Sequence, residues 1–518
     1  MIANLLATAL LLCILGVVFL LIAYLTSLAI LLFVPWTQAY LVFAHWLRFQ
    51  NPARLLTPEA YSLRPFSTRN IRITTSDGLR LGAWHILPLC TPRDTLERIH
   101  ASEQLESDIG SDSVVNEQTD AIFEDALRNA DTVVLYFHGQ VGDRGKSNRI
   151  ATYKGIQEAV PSAHVITIDC RGYGDSEGFP SEVGFKIDSY AAWQWVTQRV
   201  RSEKVVIYGH SLGSGIATNL CLQLEGHQHS PLAMVLDAAF TSMPDMMTTY
   251  RKIPIIRPFA RFPFLLNHFK LRIMDRFETV QAVETIRSPL LLIHGQEDAD
   301  VLISNSHTLF HTALSARRLE SCTGDFAGAQ VGEDLSTEEH VARAGLNLPF
   351  EQSHSTDRDP RIHDQQVVQR SLGNRQLQKG DPSDQDSKET ISVKELHASS
   401  IDDEPEDGDA TVHPLKDPKQ LEKGQSHTVQ LEFPREGSLE YNQEYQIGFL
   451  TVQYAVHNTC MDFEISKQVL GAFLSSVESR RPLDSVEGTP RIREDLVKVL
   501  CHDKIGSVDR NEVPEVVE

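Results

Sequence analysis

Val205-Val206-Ile207-Tyr208-Gly209-His210-Ser211-Leu212-Gly213-Ser214-Gly215 decides the fold. A β-branched apolar run enters Gly-x-Ser-x-Gly, and Ile216 to Leu224 continues with helical spacing. Strand, sharp turn and helix, in that order, are what a nucleophile elbow requires. Gly209 and Gly213 lack side chains where strand and helix must approach, and Ser214 and Gly215 keep the first helical turn slim. At average Gly and Ser usage the pattern arises by chance in roughly one window in three thousand. Ser211 is therefore the candidate nucleophile. The backbone N–H of Leu212, at the start of the helix, is a candidate oxyanion donor.

On either side of this stretch, short apolar strands alternate with helical segments. Thr132 to Phe137 predicts a buried strand that ends in His138-Gly139-Gln140, with Gly142 and Gly145 close behind. His164 to Asp169 is another, leading into Cys170-Arg171-Gly172-Tyr173-Gly174-Asp175-Ser176. Glu182 to Arg199 has amphipathic helical spacing, and Ala233 to Asp237 and Leu290 to His294 are further strands. Asn70 to Thr75 and Leu79 to Leu87 flank Ser76-Asp77-Gly78 as a hairpin. The alternation predicts an α/β fold: a mostly parallel twisted sheet with helices on both faces.

The chain has 518 residues and 42% hydrophobic content, enough for one large domain with additions. Its formal charge of −21 argues against nucleic acid, which needs a basic face. Seven Cys without paired spacing give neither a disulfide framework nor a zinc site. No Asp, Glu, Lys or Arg precedes Arg48, and Leu5 to Val34 is almost continuously apolar. That is too long for the apolar region of a signal peptide and lacks its basic start, so residues 1–47 are expected to be a retained transmembrane anchor with an interfacial segment. One span is preferred to two, and Trp36, Tyr40 and Trp46 suit an aromatic belt. Arg48, Arg54, Arg64, Arg69 and Arg72 follow the span and, by the positive-inside rule, favour a cytosolic domain; no Asn-x-Ser/Thr sequon marks a lumenal face.

Residues 48–317 are expected to form the first part of the core, with a mobile polar insertion at 91–130 and a cap at about 241–280. From 318 to 440 Ser, Asp, Glu, Gln, Gly and His dominate, which predicts an acidic, low-complexity disordered insertion. Order is expected to return over 441–485, with a last strand from Gly448 to Ala455 and a helix from about Asp462 to Glu478. Residues 486–518 are an unassigned tail.

A serine hydroxyl needs a neighbouring base that is itself oriented by a carboxylate, and in this fold type the chain order is Ser, acid, His. Asp298 falls just past the strand Leu290 to Ile293 and is the best acid; Asp237, after the preceding strand, is a weaker rival, and Glu297 and Asp300 suit a solvated loop. His457 directly follows the final strand and is the candidate base. The histidines between them lie mainly in the low-complexity stretch, where a fixed geometry cannot be held. The second oxyanion donor is assigned to the N–H of Gln140. The glycines beyond it lack the Lys-Ser/Thr of a phosphate-binding loop and the spacing of a dinucleotide site. His138 and His210 read as packing and hydrogen-bonding residues. No metal or organic cofactor is expected.

His138-Gly139-x-x-Gly142-x-x-Gly145, Asp169-x-Arg171-Gly172-x-Gly174-x-Ser176, Gly209-His210-Ser211-Leu212-Gly213 and the Asp298 loop together resemble the alpha/beta-hydrolase-domain serine hydrolases. Closest in look are the membrane-anchored lysophosphatidylserine and monoacylglycerol lipases and the Bem46-like fungal proteins. The resemblance implies Ser211 as nucleophile, Asp298 as acid, His457 as base, and Gln140 and Leu212 as oxyanion donors. It implies a lipid ester as substrate, a lysophospholipid or a monoacylglycerol, and residence in the endoplasmic reticulum or another endomembrane. A depalmitoylating thioesterase and a non-catalytic membrane scaffold are the alternatives. Gln140 stands where Asn is usual, and the relatives' lumenal or external domain opposes the charge rule. Met243 to Phe277 interleaves Arg251, Lys252, Arg257, Arg261, Lys270 and Arg272 with Phe259, Phe262, Phe264 and Phe269. It reads either as a cap resting on anionic lipid or as helices packed on the sheet. Protein partners of the acidic insertion are not specified by its composition.

Overall fold

Thr68–Thr74 (β1) and Arg80–Ile86 (β2) pair antiparallel around the Ser76-Asp77-Gly78 turn. Every residue of Thr132–Phe137 (β3), Ala163–Ile168 (β4), Val205–His210 (β5), Ala233–Asp237 (β6) and Leu290–Gly295 (β7) is buried. Strands covered on both faces read as apolar runs rather than alternations, which is why these segments stand out in the sequence. Thr428–Phe433 (β8), Gly437–Asn442 (β9) and Ile447–Val452 (β10) complete one ten-stranded sheet in the order β1-β2-β4-β3-β5-β6-β7-β10-β9-β8. From β4 to β10 neighbouring strands are parallel; β1, β2, β9 and β8 join antiparallel at the two edges. This computed structural model describes residues 2–47, 51–109, 114–226, 230–249, 262–327, 428–433, 435–442 and 444–479.

At the N-terminus Ile2–Phe33 (α1) contains Thr8–Ile30, the one helical stretch among the described residues long and apolar enough to cross a membrane. At 1.5 Å per residue its 23 residues span about 35 Å, against roughly 30 Å of hydrocarbon. Pro35–Phe43 (α2) follows after a single residue. Helix α2, which falls in the expected interfacial segment, docks on the α/β core: Gln38, Ala39, Val42 and Phe43 are buried. The Phe43 ring meets Phe185 at 5.1 Å and Phe277 at 6.4 Å, edge to face. Burying that one side chain contributes about 2–3 kcal/mol. Trp36, Tyr40 and Trp46 stay exposed.

The stretch expected to be a mobile polar insertion is helical: Arg93–Ile109 (α3) and Val114–Arg128 (α4). Leu96, Ile99 and Phe123 form a small separate core with Leu87, and Arg69 of β1 pairs with Asp120 and Glu124. An apolar seam this narrow is easily hidden by the charges around it.

Ser147–Ala159 (α5), Glu182–Thr197 (α6) and Leu212–Leu224 (α7) are the crossover helices around the site. Met243–Thr249 (α8), Pro263–Lys270 (α9) and Thr279–Thr285 (α10) lie in and after the cap region, and Ser304–Ala327 (α11) follows β7. Glu464–Ser479 (α12) is the last described helix. Val133, Leu135, Val205 and Ile207 join one apolar core with residues of α2, α6, α7, α10 and α11. Val134, Tyr136, Val206 and Tyr208 join a second with residues of α5 and α12. Alternate side chains of one strand thus serve opposite layers.

The ten strands belong to one compact unit, which takes in the described residues up to Phe326 and those from Thr428 on. Both ends of the stretch expected to be disordered are ordered. Helix α11 continues to Ala327, and β8 and β9 form an edge hairpin before the last strand. In the sequence of β8 the apolar Val429, Leu431 and Phe433 alternate with Gln430 and Glu432, a short pattern easily lost in polar surroundings. Residues 328–427 of the insertion, 250–261 of the cap and the tail from 480 lie outside the described residues.

Candidate active site

Between the last residue of β5 and the first of α7, Ser211 alone makes the turn, at φ 52° and ψ −118°. Such a conformation costs a non-glycine residue on the order of 1–3 kcal/mol and persists only where its surroundings fix it. Here the Ser211 N–H donates to the Asp237 carbonyl at 2.9 Å, and its own carbonyl accepts from the Ser214 N–H at 2.8 Å and Ser214 Oγ at 2.6 Å. A Cβ on Gly209 would strike the Gly213 carbonyl, and one on Gly213 would strike the Phe137 carbonyl of β3. The two glycines thus allow strand and helix to close on each other.

His457 lies in the turn after β10, and Asp298 in the turn after the neighbouring β7. His457 Nε2 is 2.8 Å from Ser211 Oγ, and its Nδ1 is 2.7 Å from Asp298 Oδ2. Asp298 and His457 are 159 residues apart in sequence, but parallel pairing of β7 with β10 sets their turns side by side. Burial works to raise the pKa of Asp298. Hydrogen bonds from His294, His457 and the Val301 N–H outweigh it and hold the carboxyl well below its usual range. The second oxygen, Oδ1, accepts from the N–H groups of Asp300 and Val301 at 2.8 and 2.9 Å. Asp237, the weaker rival, faces elsewhere: Tyr208 Oη donates to its Oδ2 at 3.1 Å, and burial pushes its pKa up to about 6. Asp300 lines the same cavity as Ser211.

The turn after β3 packs against the serine. A Cβ at Gly139 would lie 3.2 Å from Ser211 Cβ and 3.0 Å from His210 Nδ1. The Gln140 N–H donates to no acceptor among the described residues. Leu212 is the first residue of α7, where an N–H has no carbonyl one turn earlier within the helix. One residue on, Val141 is held at φ 66°, an outlying value for a β-branched side chain.

Arg149 of α5 fixes this turn, and nothing in the sequence marks it out. Fully buried, it donates from Nη2 to the carbonyls of Gly139 at 2.7 Å, Gln140 at 3.2 Å and Val141 at 2.7 Å, and from Nη1 to that of Asp143. Its guanidinium forms no ion pair among the described residues. Gathering the carbonyls on one cation fixes the path of the turn. The Asp169-to-Ser176 motif serves as scaffold: Arg144 bridges Asp169 at 2.5 Å and Asp175 at 2.6 Å, and Arg171 pairs with Asp188 and Asp77.

A cavity of about 270 Å³ opens over Ser211 and His457. Val42, Phe240, Met243 and Met246 supply apolar wall, and Lys146, Asn148 and Asn458 supply polar wall. A larger cavity of about 980 Å³ lies against α3 and α4 and holds none of the residues around Ser211. Among the described residues, it is beside the smaller one that a hydroxyl, an imidazole and a carboxylate stand in series. Of the cap's basic residues, Lys270 pairs with Asp245 at 2.6 Å and Arg272 sits 5.1 Å over the Phe33 ring; Arg251, Lys252, Arg257 and Arg261 lie outside the described residues. Phe269 is buried while Phe262 and Phe264 are exposed, so this segment both packs and presents apolar surface.

A family model described as alpha/beta hydrolase fold matches residues 132–270. The chain is 29% identical over 287 residues to lysophosphatidylserine lipase ABHD12 of Danio rerio, covering 55% of this chain and 68% of that one. It is 30% identical over 283 residues to lysophosphatidylserine lipase ABHD12 of Gallus gallus, covering 55% and 68%. It is also similar to a solved alpha-beta hydrolase from Vibrio vulnificus, at 14% identity and a TM-score of 0.39, covering 54% of this chain and 81% of that one. With the turn of Ser211 between strand and helix and an alpha/beta-hydrolase sheet on both sides of it, the chain is an ester-cleaving serine hydrolase that belongs to the ABHD12 family of alpha/beta hydrolases.

Proposed function

We propose that the protein hydrolyses the acyl ester of a single-chain glycerolipid, a lysophospholipid or a monoacylglycerol, through an acyl-enzyme on Ser211. The hydrogen-bonded series from Asp298 through His457 to Ser211 carries this reading. His457 Nε2 takes the Oγ proton as Oγ attacks the ester carbonyl, and ionised Asp298 stabilises the imidazolium that forms. The N–H groups of Gln140 and Leu212 hold the developing oxyanion. Collapse expels the glycerol oxygen, which receives its proton from His457, and water then repeats the sequence to release the fatty acid.

The relatives' name supports the lipid class, and the cavity supports an acyl chain on the Val42 and Met246 side with a polar head toward Lys146 and Asn148. At about 270 Å³ the cavity is at or below the roughly 300–1,000 Å³ of ordinary ligand sites, so a long chain extends past Val42 toward the anchor. Helix α1 then acts as a single-pass anchor in the endoplasmic reticulum or another endomembrane, holding the site beside its substrate.

The test is fluorophosphonate labelling of wild type and Ser211→Ala, followed by hydrolysis of a lysophospholipid, a monoacylglycerol and a palmitoylated peptide thioester. Loss of labelling and a fall of several orders of magnitude in ester cleavage are expected. Wild-type labelling of Ser211→Ala would remove the nucleophile assignment, and a preference for the thioester would replace the lipid substrate.

A further inference from the structure

We propose that the side chain of Gln140 clamps helix α2 to the oxyanion turn, so that docking of the membrane-proximal helix is a condition for turnover. The inference rests on the Ser211–His457–Asp298 reading and makes Gln140 a positioning residue through its side chain, beyond the use of its N–H. The last carbonyls of a helix have no donors within it. In α2 these include Leu41 and Val42, and Gln140 Nε2 reaches both, at 3.4 and 2.6 Å. On its main-chain side the Gln140 carbonyl accepts from Arg149 at 3.2 Å. Residue 140 is therefore held from two directions, by α2 and by α5.

Helix α2 is itself well fixed. Tyr173 Oη donates to the Phe43 carbonyl at 2.7 Å. Gln38 donates to the Arg272 carbonyl at 3.0 Å and accepts from the Met274 N–H at 3.2 Å. Phe43 is fully buried, and Ala44 ends the helix in the left-handed region at φ 44°. Val42, whose carbonyl Gln140 holds, also lines the cavity over Ser211. Because Val141 is kept at φ 66°, the turn holds strain that it would relieve if either support were lost. Helix α1, which holds the span, ends at Phe33, and only Val34 separates it from α2, so the anchor and the oxyanion turn are linked through the nine residues of α2.

The experiment uses the full-length protein in nanodiscs and three variants: Gln140→Met, Phe43→Ala and the double change. Methionine keeps the length of glutamine without the amide, and Phe43→Ala loosens α2 without touching the turn. Complete loss of an oxyanion donor costs about 10²–10³ in kcat, so a displaced one is expected to cost roughly 10- to 100-fold. KM for a soluble acetate ester, whose acyl group is too short to depend on Val42, should stay within about twofold. Amide exchange over residues 38–46 should rise in both single variants, and the double variant should lose little more than either, because both break one coupling. Gln140→Met with wild-type kcat would overturn the clamp, as would lowered kcat with unchanged exchange in α2 or fully additive losses. Should Gln140→Met fail to fold by circular dichroism, an unchanged kcat in Phe43→Ala would overturn it alone. Wild type that does not label with fluorophosphonate would instead sink the underlying triad reading.

Discussion

His210 Nε2 donates to the main-chain carbonyl of His457 at 2.8 Å, and the two rings stand 5.2 Å apart. The residue before Ser211 thus buttons down the turn that carries His457. Burial, together with His457 beside it, lowers the His210 pKa to about 3, so the ring stays a neutral donor through the working range. His210→Phe keeps the bulk and removes the donor. A misplaced base is expected to lower kcat by roughly 10- to 100-fold, with KM little changed. The loss should be the same at pH 6 and pH 9, measured with a soluble ester, because no charge on His210 is involved.

Asp237 gives a stability signature of opposite sign to that of the usual surface carboxylate. Its folded pKa is raised, chiefly by burial, to about 6 from 3.8. Between those values the folded state holds a proton that the unfolded state has released, so stability falls as pH rises from about 4 through 6. Asp237→Asn should therefore raise the urea midpoint at pH 7.5, by an amount corresponding to at most about 3 kcal/mol. The difference should vanish near pH 3.5. An equal gain at both pH values would mean that the charge is irrelevant.

The segment from Phe262 to Arg272 exposes Phe264 at 81% and Leu271 at 74%, and Arg272 sits over Phe33 at the end of α1. Replacing both apolar residues by serine should weaken hydrolysis of long-chain lipid in vesicles several-fold. Cleavage of a soluble short-chain ester should be preserved, because the triad is untouched. Parallel loss on both substrates would point to a cap that has misfolded.

Excision of residues 328–427 should leave a hydrolase that folds and labels. Arg318 Nη2 lies 3.5 Å from Thr428 Oγ1, so the start of β8 is near α11 about nine residues before that helix ends. Nine helical residues rise about 14 Å, a gap that a join of about eight flexible residues crosses easily. Within that excised protein His457→Ala should abolish labelling. A product that folds by circular dichroism yet fails to label would bring His340, His354 and His363 into contention as the base and remove His457.

The central strands are legible in the sequence because both faces of each are buried, leaving unbroken apolar runs between turn residues. The Gly-x-Ser-x-Gly turn is legible because packing leaves no room for a side chain at Gly209 or Gly213. Asp298 and His457 are placed by chain order, each just past a strand, and the sheet brings them to Ser211. What escapes notice depends on contacts between distant segments. Arg149 looks like any arginine on a helix until the carbonyls of Gly139, Gln140 and Val141 surround it. The α3–α4 pair buries too few apolar residues to rise above its charged neighbours, and the docking of α2 is hidden because its core partners are remote in sequence.

The parallel pairing of β7 with β10 also orders events during synthesis. At about 5–20 residues per second, the ribosome delivers His457 roughly 10–30 seconds after Asp298. For that interval Leu290–Gly295 has no partner on the side that Ile447–Val452 will fill, and Ser211 lacks the imidazole that stands beside it in the finished fold. The nascent chain therefore spends its first moments as an incomplete fold with an open strand edge. Such an edge is what holding chaperones bind and what aggregates when they are absent.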